Sequence, residues 1–479
     1  MNYSIIVYII GWILRLQTAF MALPVVTALI YREKDGSAFL ITMGLCLLTG
    51  AALTFKRPSN SVFHTKEGCV TVALSWIVLS LTGALPFTIS GSIPNYIDAV
   101  FETVSGFTTT GASILGNVEV LSHCILIWRS FTHWIGGMGV LVFLLSLLPQ
   151  IGGYHMTLMR AESPGPSVSK LVPKVQSTAK ILYTIYIGMT LLQVVLLLLG
   201  RMPLFDALCT AFGTAGTGGF GILSDSMGSY SIYIQVIVTI FMILFGINFT
   251  FYYLMLSKKF MPALKIEEVR YYLAAIVFAV AVITFNIRHL YSHIGLALKD
   301  AAFQVGSIIT TTGFATTDFN QWPELSRTIL VLLMFMGACA GSTGGGIKVS
   351  RFLILFKAIR KELLLYLHPN AVKKVKMDGK SIPHEVVRST NIFMSTYVLI
   401  FAVSVLIISL DNYDLITNFT GVAATLNNIG PGLELVGPAG NFDMFSYPSK
   451  IVLIFDMLAG RLEIFPLLLL FSKSTWKKF

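Results

Sequence analysis

Residues 108–114 read TTTGASI and residues 310–316 read TTTGFAT, hydroxyl side chains closed by a glycine and set between long apolar stretches. Two further stretches align with them. The four segments are DAVFETVSGFTTTGAS from Asp98, DALCTAFGTAGTGGFG from Asp206, DAAFQVGSIITTTGFA from Asp300 and the more divergent TNFTGVAATLNNIGPG from Thr417. In each, a glycine falls 13 residues after the first residue: Gly111, Gly219, Gly313 and Gly430. The chemistry these residue types offer is coordination of a dehydrated alkali cation. Such an ion needs several oxygens at close range, and rings of backbone carbonyls supply them without a fixed charge that would trap it. Glycine reaches positive φ, which lets successive carbonyls face one side. The candidate ligating stretches are therefore Thr109, Thr110 and Gly111; Thr217, Gly218 and Gly219; Thr311, Thr312 and Gly313; and Asn428, Ile429 and Gly430. Thr109, Thr217, Thr311 and Asn428, two residues before their glycines, are expected to bond locally and brace the backbone. A single TTTG is also readable as a capped turn, whereas four copies at one offset point to a common task.

Elements able to hold such turns follow from composition. The 479 residues are 55% hydrophobic and only 12% charged, far more apolar than a soluble chain. Apolar runs near 3–31, 37–55, 69–91, 122–150, 181–200, 230–257, 271–287, 328–357, 391–410 and 449–472 are each long enough to cross ~30 Å of hydrocarbon. Ten spans place both termini on one side. Of the 34 Lys and Arg residues, 23 lie in the connections 56–67, 151–180, 258–270 and 351–388 and in the tail 472–479, which makes that side cytoplasmic. The net charge of +11 is thereby explained without nucleic acid. The N-terminal run lacks a basic leader and a small-residue cleavage site and reads as a retained first helix. Five scattered cysteines without a CxxC pair indicate neither a disulfide framework nor a zinc site.

The four aligned segments are too apolar for ordinary loops and too short to cross. Each unit reads as a spanning helix, a half-length helix of roughly 10 residues, a glycine turn on the external side and a second spanning helix. The expected division is an N-terminal helix pair, 1–67, and pore repeats at 68–150, 177–257, 267–362 and 389–473. Irregular backbone at membrane depth survives only where it is buried in protein or lines a polar cavity, so four such turns imply one shared cavity. The half-helices aim their negative C-terminal ends at its centre, where a cation is favoured.

Two further features stand out. GACAGSTGGG (337–346) places Gly337, Gly341, Gly344, Gly345 and Gly346 inside an otherwise spanning stretch. Interior glycines cost roughly 0.5–1 kcal/mol each, so the segment is either an irregular loop or a close helix-packing seam. Arg461 lies midway along the run 449–472, where an arginine costs at least ~2.5 kcal/mol. It reads either as half of an ion pair with Asp456 or Glu463 or as a charge facing an aqueous path. Arg129, near an external end, is expected to snorkel.

SGFTTTGAS, TGGFG, TTTGFATTDF and NNIGPGL, with HWIGGMG (133–139), GACAGSTGGGIKVSR (337–351) and AGRLEIF (459–465), resemble the Trk/Ktr/HKT superfamily of potassium transporters over almost the whole chain. The N-terminal pair makes it more similar to the bacterial TrkH branch than to KtrB. The resemblance implies an all-α polytopic protein of the bacterial inner membrane, with four pore loops around one pseudo-fourfold pore, transporting potassium with no organic cofactor. It implies a homodimer with one pore per protomer, contact with membrane lipid, and a cytoplasmic nucleotide-binding regulatory ring of the TrkA type. It assigns 337–346 as a mobile gate below the filter and Arg461 as an electrostatic barrier in the pore. Glycine at the first filter position, here Gly111, goes with potassium selectivity in that family. GTAGTGGFG departs slightly, with Gly221 where serine is common. The basic stretches KKVKMDGK (373–380) and KSTWKKF (473–479) suit either a docked regulator or lipid headgroups.

The competing reading is a secondary transporter that couples potassium to protons or sodium at a midplane site. It would need a carboxylate in the path; the glycine turns contain none, although Glu102 lies on the first half-helix and Asp318 just past the third turn. A membrane enzyme finds no support in the motifs: no HExxH, Ser/His pair or carboxylate cluster occurs in the spans. GTGGFG (216–221) matches a dinucleotide fingerprint by spacing alone, without the strand that would have to precede it.

Overall fold

The computed structural model describes residues 1–58, 64–139, 175–370 and 373–477. In chain order the helices begin with α1 (Tyr3–Phe20), α2 (Ala22–Tyr31), α3 (Gly36–Thr54), α4 (Thr65–Ser90), α5 (Tyr96–Phe107) and α6 (His123–Gly137). There follow α7 (Val175–Leu199), α8 (Leu204–Gly216), α9 (Ile232–Phe245), α10 (Phe249–Leu256), α11 (Phe260–Leu264), α12 (Glu267–Ile287) and α13 (Ile294–Ile309). The rest are α14 (Glu324–Met336), α15 (Val349–Leu367), α16 (His384–Ile408), α17 (Leu415–Leu426), α18 (Tyr447–Arg461), α19 (Phe465–Phe471) and α20 (Lys473–Trp476). A small hairpin of β1 (Lys376–Met377) and β2 (Lys380–Ser381) sits between α15 and α16. The inner end of the expected span 122–150 and most of the connection 151–180 lie outside the described residues.

Six stretches among the described residues are long and apolar enough to cross a bilayer: Tyr3–Tyr31, Gly36–Thr54, Thr65–Ser90, Ala179–Leu199, Glu267–Leu290 and His384–Asp411. Their sidedness is the reverse of a soluble helix. On α16, Val398, Leu399, Val403 and Leu406 are exposed, while Thr390, Tyr397 and Ser404 are buried against the rest of the protein. Small residues let backbones touch where lipid gives no hydrophobic drive for association. A Cβ on Gly50 of α3 would stand 2.9 Å from the Gly11 carbonyl oxygen of α1. The turn after α2 ties this N-terminal pair to the remainder: Glu33 accepts from the backbone N–H groups of His123 (2.7 Å) and Cys124 (2.9 Å), capping α6.

Three apolar runs that the sequence suggests as single spans are interrupted. The break in 328–357 falls on the glycine-rich segment, between Met336 and Val349. The run 230–257 bends by 92° between α9 and α10, where Asn248 caps the second piece by accepting from Thr250 N. The run 449–472 stops at Arg461, and Glu463 (φ 59°) and Ile464 (φ 65°) turn the chain before α19. Both of the latter breaks fall in runs apolar enough overall to read as single spans. At the first two breaks the backbone groups partner each other: Cys339 N donates to Gly246 O (3.1 Å) and Phe249 N to Gly341 O (3.0 Å). Broken helices persist at such depth only with partners of this kind.

The short helices α5, α8, α13 and α17, of 12, 13, 16 and 12 residues, coincide with the aligned segments and are longer than the 10 or so expected. Asn95 caps α5 through Ile97 N, and Asp414 caps α17 through Thr417 N.

Candidate functional site

All four short helices end in the same way. The N–H at offset 12 returns to the carbonyl at offset 7: Thr110 to Ser105 (2.9 Å), Gly218 to Gly213 (2.8 Å), Thr312 to Ser307 (2.8 Å) and Ile429 to Ala424 (2.8 Å). The N–H one residue earlier bonds three residues back in every copy, from Thr109, Thr217, Thr311 and Asn428. This is the Schellman pattern, whose left-handed residue is usually glycine. Here it is Thr109 (φ 57°), Thr217 (φ 54°), Thr311 (φ 59°) and Asn428 (φ 56°). A β-branched residue in that region is strained, and such strain persists where the surroundings over-determine it.

Two residues on, Gly111, Gly219, Gly313 and Gly430 also have positive φ, of 81°, 76°, 85° and 102°. Their neighbours close a ring. A Cβ on Gly111 would collide with the carbonyl oxygen of Gly218, one on Gly219 with that of Thr312, and one on Gly313 with that of Ile429. A Cβ on Gly430 would stand 2.9 Å from Thr110 O, so the fourth seam is the loosest. All twelve residues proposed from sequence are thus brought together. On one side they open into a cavity of about 140 Å³ lined by all four glycines and by Arg129.

The bracing differs from the local bonding expected. Only Thr217 bonds its own strand, donating to Gly216 O (2.6 Å). Thr109 Oγ1 accepts from Arg461 (3.1 Å), and Thr311 Oγ1 from Gly345 N (2.6 Å). Asn428 reaches Thr110 Oγ1 (2.9 Å) and Met457 O (2.8 Å). Behind the first two strands, Arg129 does not snorkel. It is buried in an ion pair with Glu102 at 2.7 Å and donates to Gly221 O at 3.3 Å. Glu102 also accepts from Ser113 Oγ (3.0 Å) and Ile114 N (3.1 Å). His133 joins the same two strands, with Nδ1 at 2.8 Å from Gly106 O and Nε2 accepting from Phe220 N (3.3 Å). One ring nitrogen faces an acceptor and the other a donor, which selects the neutral Nδ1–H tautomer.

Beneath the ring lies the segment 337–346, irregular as one of the two sequence readings held. Gly337, Gly341 and Gly346 have positive φ. A Cβ on Gly344 would stand 2.9 Å from Thr310 O, and one on Gly345 2.6 Å from Asn427 O. The segment therefore touches the third and fourth strands directly. Arg461 bridges it to the first: Nη1 donates to Thr109 Oγ1 and to Thr343 O (2.9 Å), and Nη2 to the carbonyls of Gly136 and Gly137. The carboxylates offered as its structural partners are engaged elsewhere. Glu463 pairs with Arg351, and Asp456 accepts from Ser404 Oγ at 2.8 Å. Among the described residues no cluster of three or more His, Cys, Asp or Glu side chains could hold a metal ion, so the oxygen-rich feature here is backbone.

The family model for TrkH, described as a cation transport protein, matches residues 35–478. The chain is 39% identical, over the full length of both, to the Trk system potassium uptake protein TrkH of Salmonella typhimurium. It is 34% identical to TrkG of Escherichia coli, over 99% of this chain and 98% of that one. The crystal structure of the potassium transporter TrkH from Vibrio parahaemolyticus superposes with a TM-score of 0.90 at 35% identity, covering all of both chains. The chain belongs to the TrkH family.

Sequence reasoning on this TrkH-family chain missed His133, the pairing of Glu102 with Arg129, and the polar residues around the loop: Glu268, Lys348 and Arg351. A usable signal existed for Glu102. It is a carboxylate on the apolar half-helix at the offset where the other segments carry Thr210, Gln304 and Gly421. Lys348, buried and donating to Gly344 O, had its signal in lying within a membrane stretch.

Proposed function

We propose that this TrkH-family protein carries potassium inward across the bacterial inner membrane, through a filter built from its four glycine turns. The observation that carries this reading is the closure of the ring, in which each glycine abuts the carbonyl that precedes the next. Four short helices end on this ring, each with its negative pole towards it. Each filter stretch, 109–111, 217–219, 311–313 and 428–430, supplies backbone oxygens in place of the ion's water. The chain is read as ten spans, four tandem helix–pore loop–helix repeats around a pseudo-fourfold axis following an N-terminal pair, with both termini cytoplasmic.

The loop 337–346 and Arg461 act in this reading as the barrier below the filter. The loop packs under two strands, and the guanidinium adds a like charge in a low-dielectric passage. The relatives bear the name of a Trk potassium uptake system, which supports potassium as the ion. We extend the proposal to a homodimer regulated by a cytoplasmic nucleotide-binding ring of the TrkA type. Against coupling to protons or sodium, the carboxylates near the turns among the described residues are engaged; Glu434 pairs with Arg327 and Asp225 accepts from Ser229 Oγ. Glu102 is paired with Arg129, and Asp318 accepts from Asn320 N at 3.1 Å.

Rubidium or potassium uptake by the purified chain in proteoliposomes tests this. Uptake that follows the ion's own gradient, unchanged by proton or sodium gradients, is expected. Uptake that requires either gradient would replace this reading with coupled transport.

A further inference from the structure

The loop 337–346 meets the ring through Gly345 N and Thr311 Oγ1 and the α9–α10 junction through Thr343, Cys339 and Gly341, while its neck is held by a side chain from another helix. At the neck the two legs run side by side, with Val349 N donating to Ala338 O at 3.1 Å. Glu268, in the first turn of α12, places one carboxylate oxygen between them: Oε1 accepts from Ala340 N at 2.7 Å and from Ser350 N at 3.1 Å. The carboxylate is buried, with both N–H groups aimed at it. A buried acceptor serving two N–H groups leaves two unsatisfied donors when it is removed.

The residue before it faces the other way. Glu267 pairs with Lys357, and its backbone N–H donates to Asp378 Oδ1 at 2.8 Å. Asp378 sits in the turn of the β1–β2 hairpin at φ 50°, and Lys357 also donates to Lys376 O at 2.8 Å. The exposed hairpin thus caps α12 one residue from the carboxylate that holds the loop. We infer that Glu268 is a positioning residue that latches the neck of the intramembrane loop in its closed place, and that the hairpin 376–381 sets the position of this latch. As a statement about transport, this rests on the loop being the barrier.

Cys339, buried in the loop, is a native reporter of its release. The other four cysteines, Cys46, Cys69, Cys124 and Cys209, are replaced by alanine, and the rate of Cys339 modification by a small methanethiosulfonate is measured on monodisperse, fully helical protein. Potassium flux is measured in parallel. In Glu268→Ala the rate should rise at least about tenfold, the scale of two buried donors losing their acceptor. Glu268→Gln keeps a carbonyl acceptor and should stay near the parent. If the alanine variant does not fold, Glu268→Asp, which withdraws the oxygen by one methylene, carries the same expectation. Asp378→Ala should give a smaller rise, about two- to threefold, the scale of a lost helix cap. Folded Glu268→Ala or Glu268→Asp protein with parental Cys339 reactivity overturns the latch, as does equal acceleration in Glu268→Gln. Parental reactivity in Asp378→Ala overturns the role of the hairpin. Faster modification without faster flux upholds the latch and removes the loop as the transport barrier, so the two readings fail separately.

Discussion

The glycine turns of the ring and the glycine loop beneath it share positive φ angles, yet their fastenings differ. Each ring strand is held by two backbone bonds to its own half-helix and abuts the carbonyl of the next strand, and Glu102, Arg129 and His133 tie the first two together. The loop is held mostly by contacts to other elements: Cys339 N to Gly246 O, Phe249 N to Gly341 O and Thr343 Oγ1 to Phe245 O at the α9–α10 junction, Gly345 N to Thr311 Oγ1, and Glu268 at the neck. Lys348 donates back to Gly344 O, and Ser342 to Cys339 O. The same permissive residue serves a geometry fixed by repeated bonds within each strand's own half-helix in the ring, and in the loop a geometry that depends on partners from other helices.

The comparison breaks most severely if the ring's bracing is dispensable. Arg129→Met leaves Glu102 buried without its cation, and loss of one partner of a buried pair costs about 3–5 kcal/mol. Yield and thermal stability of the purified protein should fall sharply. A variant as stable as the parent would show that the strands hold without the pair.

Arg461→Ala acts on the junction between ring and loop. Removing a charge from a low-dielectric passage should speed flux per folded protein by roughly a hundredfold, about 2.7 kcal/mol of barrier. Unchanged flux with lower stability would make this arginine a structural clamp. Shortening the loop by several residues should also speed flux, and if neither folded variant conducts faster, the barrier lies elsewhere.

Gly111→Ser and Gly313→Ser place a Cβ against the carbonyls of Gly218 and Ile429. Preference for potassium over sodium should fall by about tenfold, ~1.4 kcal/mol of discrimination, while the fold survives. Intact selectivity in both, from ion-competition flux, would remove the ring as the filter.

The smallest effect is expected at the surface. Neutralising Lys373, Lys374 and Lys376 should weaken association with a cytoplasmic nucleotide-binding ring severalfold at low salt and less at high salt. Binding indifferent to all three would move the docking surface off the segment that carries the hairpin.

Much of this site was readable before any coordinates. The glycine offset located the turns because positive φ is a local requirement that few residues meet, and three consecutive glycines located the loop. Less was readable where partners are distant. Asn428 and Thr110 lie 318 positions apart and meet only through the ring. Arg129 looked like a snorkelling residue because its partner, Glu102, is on another helix, 27 positions away. The breaks after Phe245 and Arg461 were not legible because both runs stay apolar enough overall to span, and the partner of the first, Cys339 N on Gly246 O, lies far along the chain.

The amino-acid sequence by itself determined the solvent this chain seeks, the four short helices and the glycine positions where its backbone turns left-handed, though not the left-handed Thr109, Thr217, Thr311 and Ile464. These follow from side-chain transfer free energies summed over about 20 residues and from steric limits at single residues. Only the tertiary structure decided which carboxylate serves Arg129, that Glu463 goes to Arg351, and that Glu268 holds the loop. Those choices depend on atoms meeting within about 3 Å, a distance that spacing along the chain does not encode.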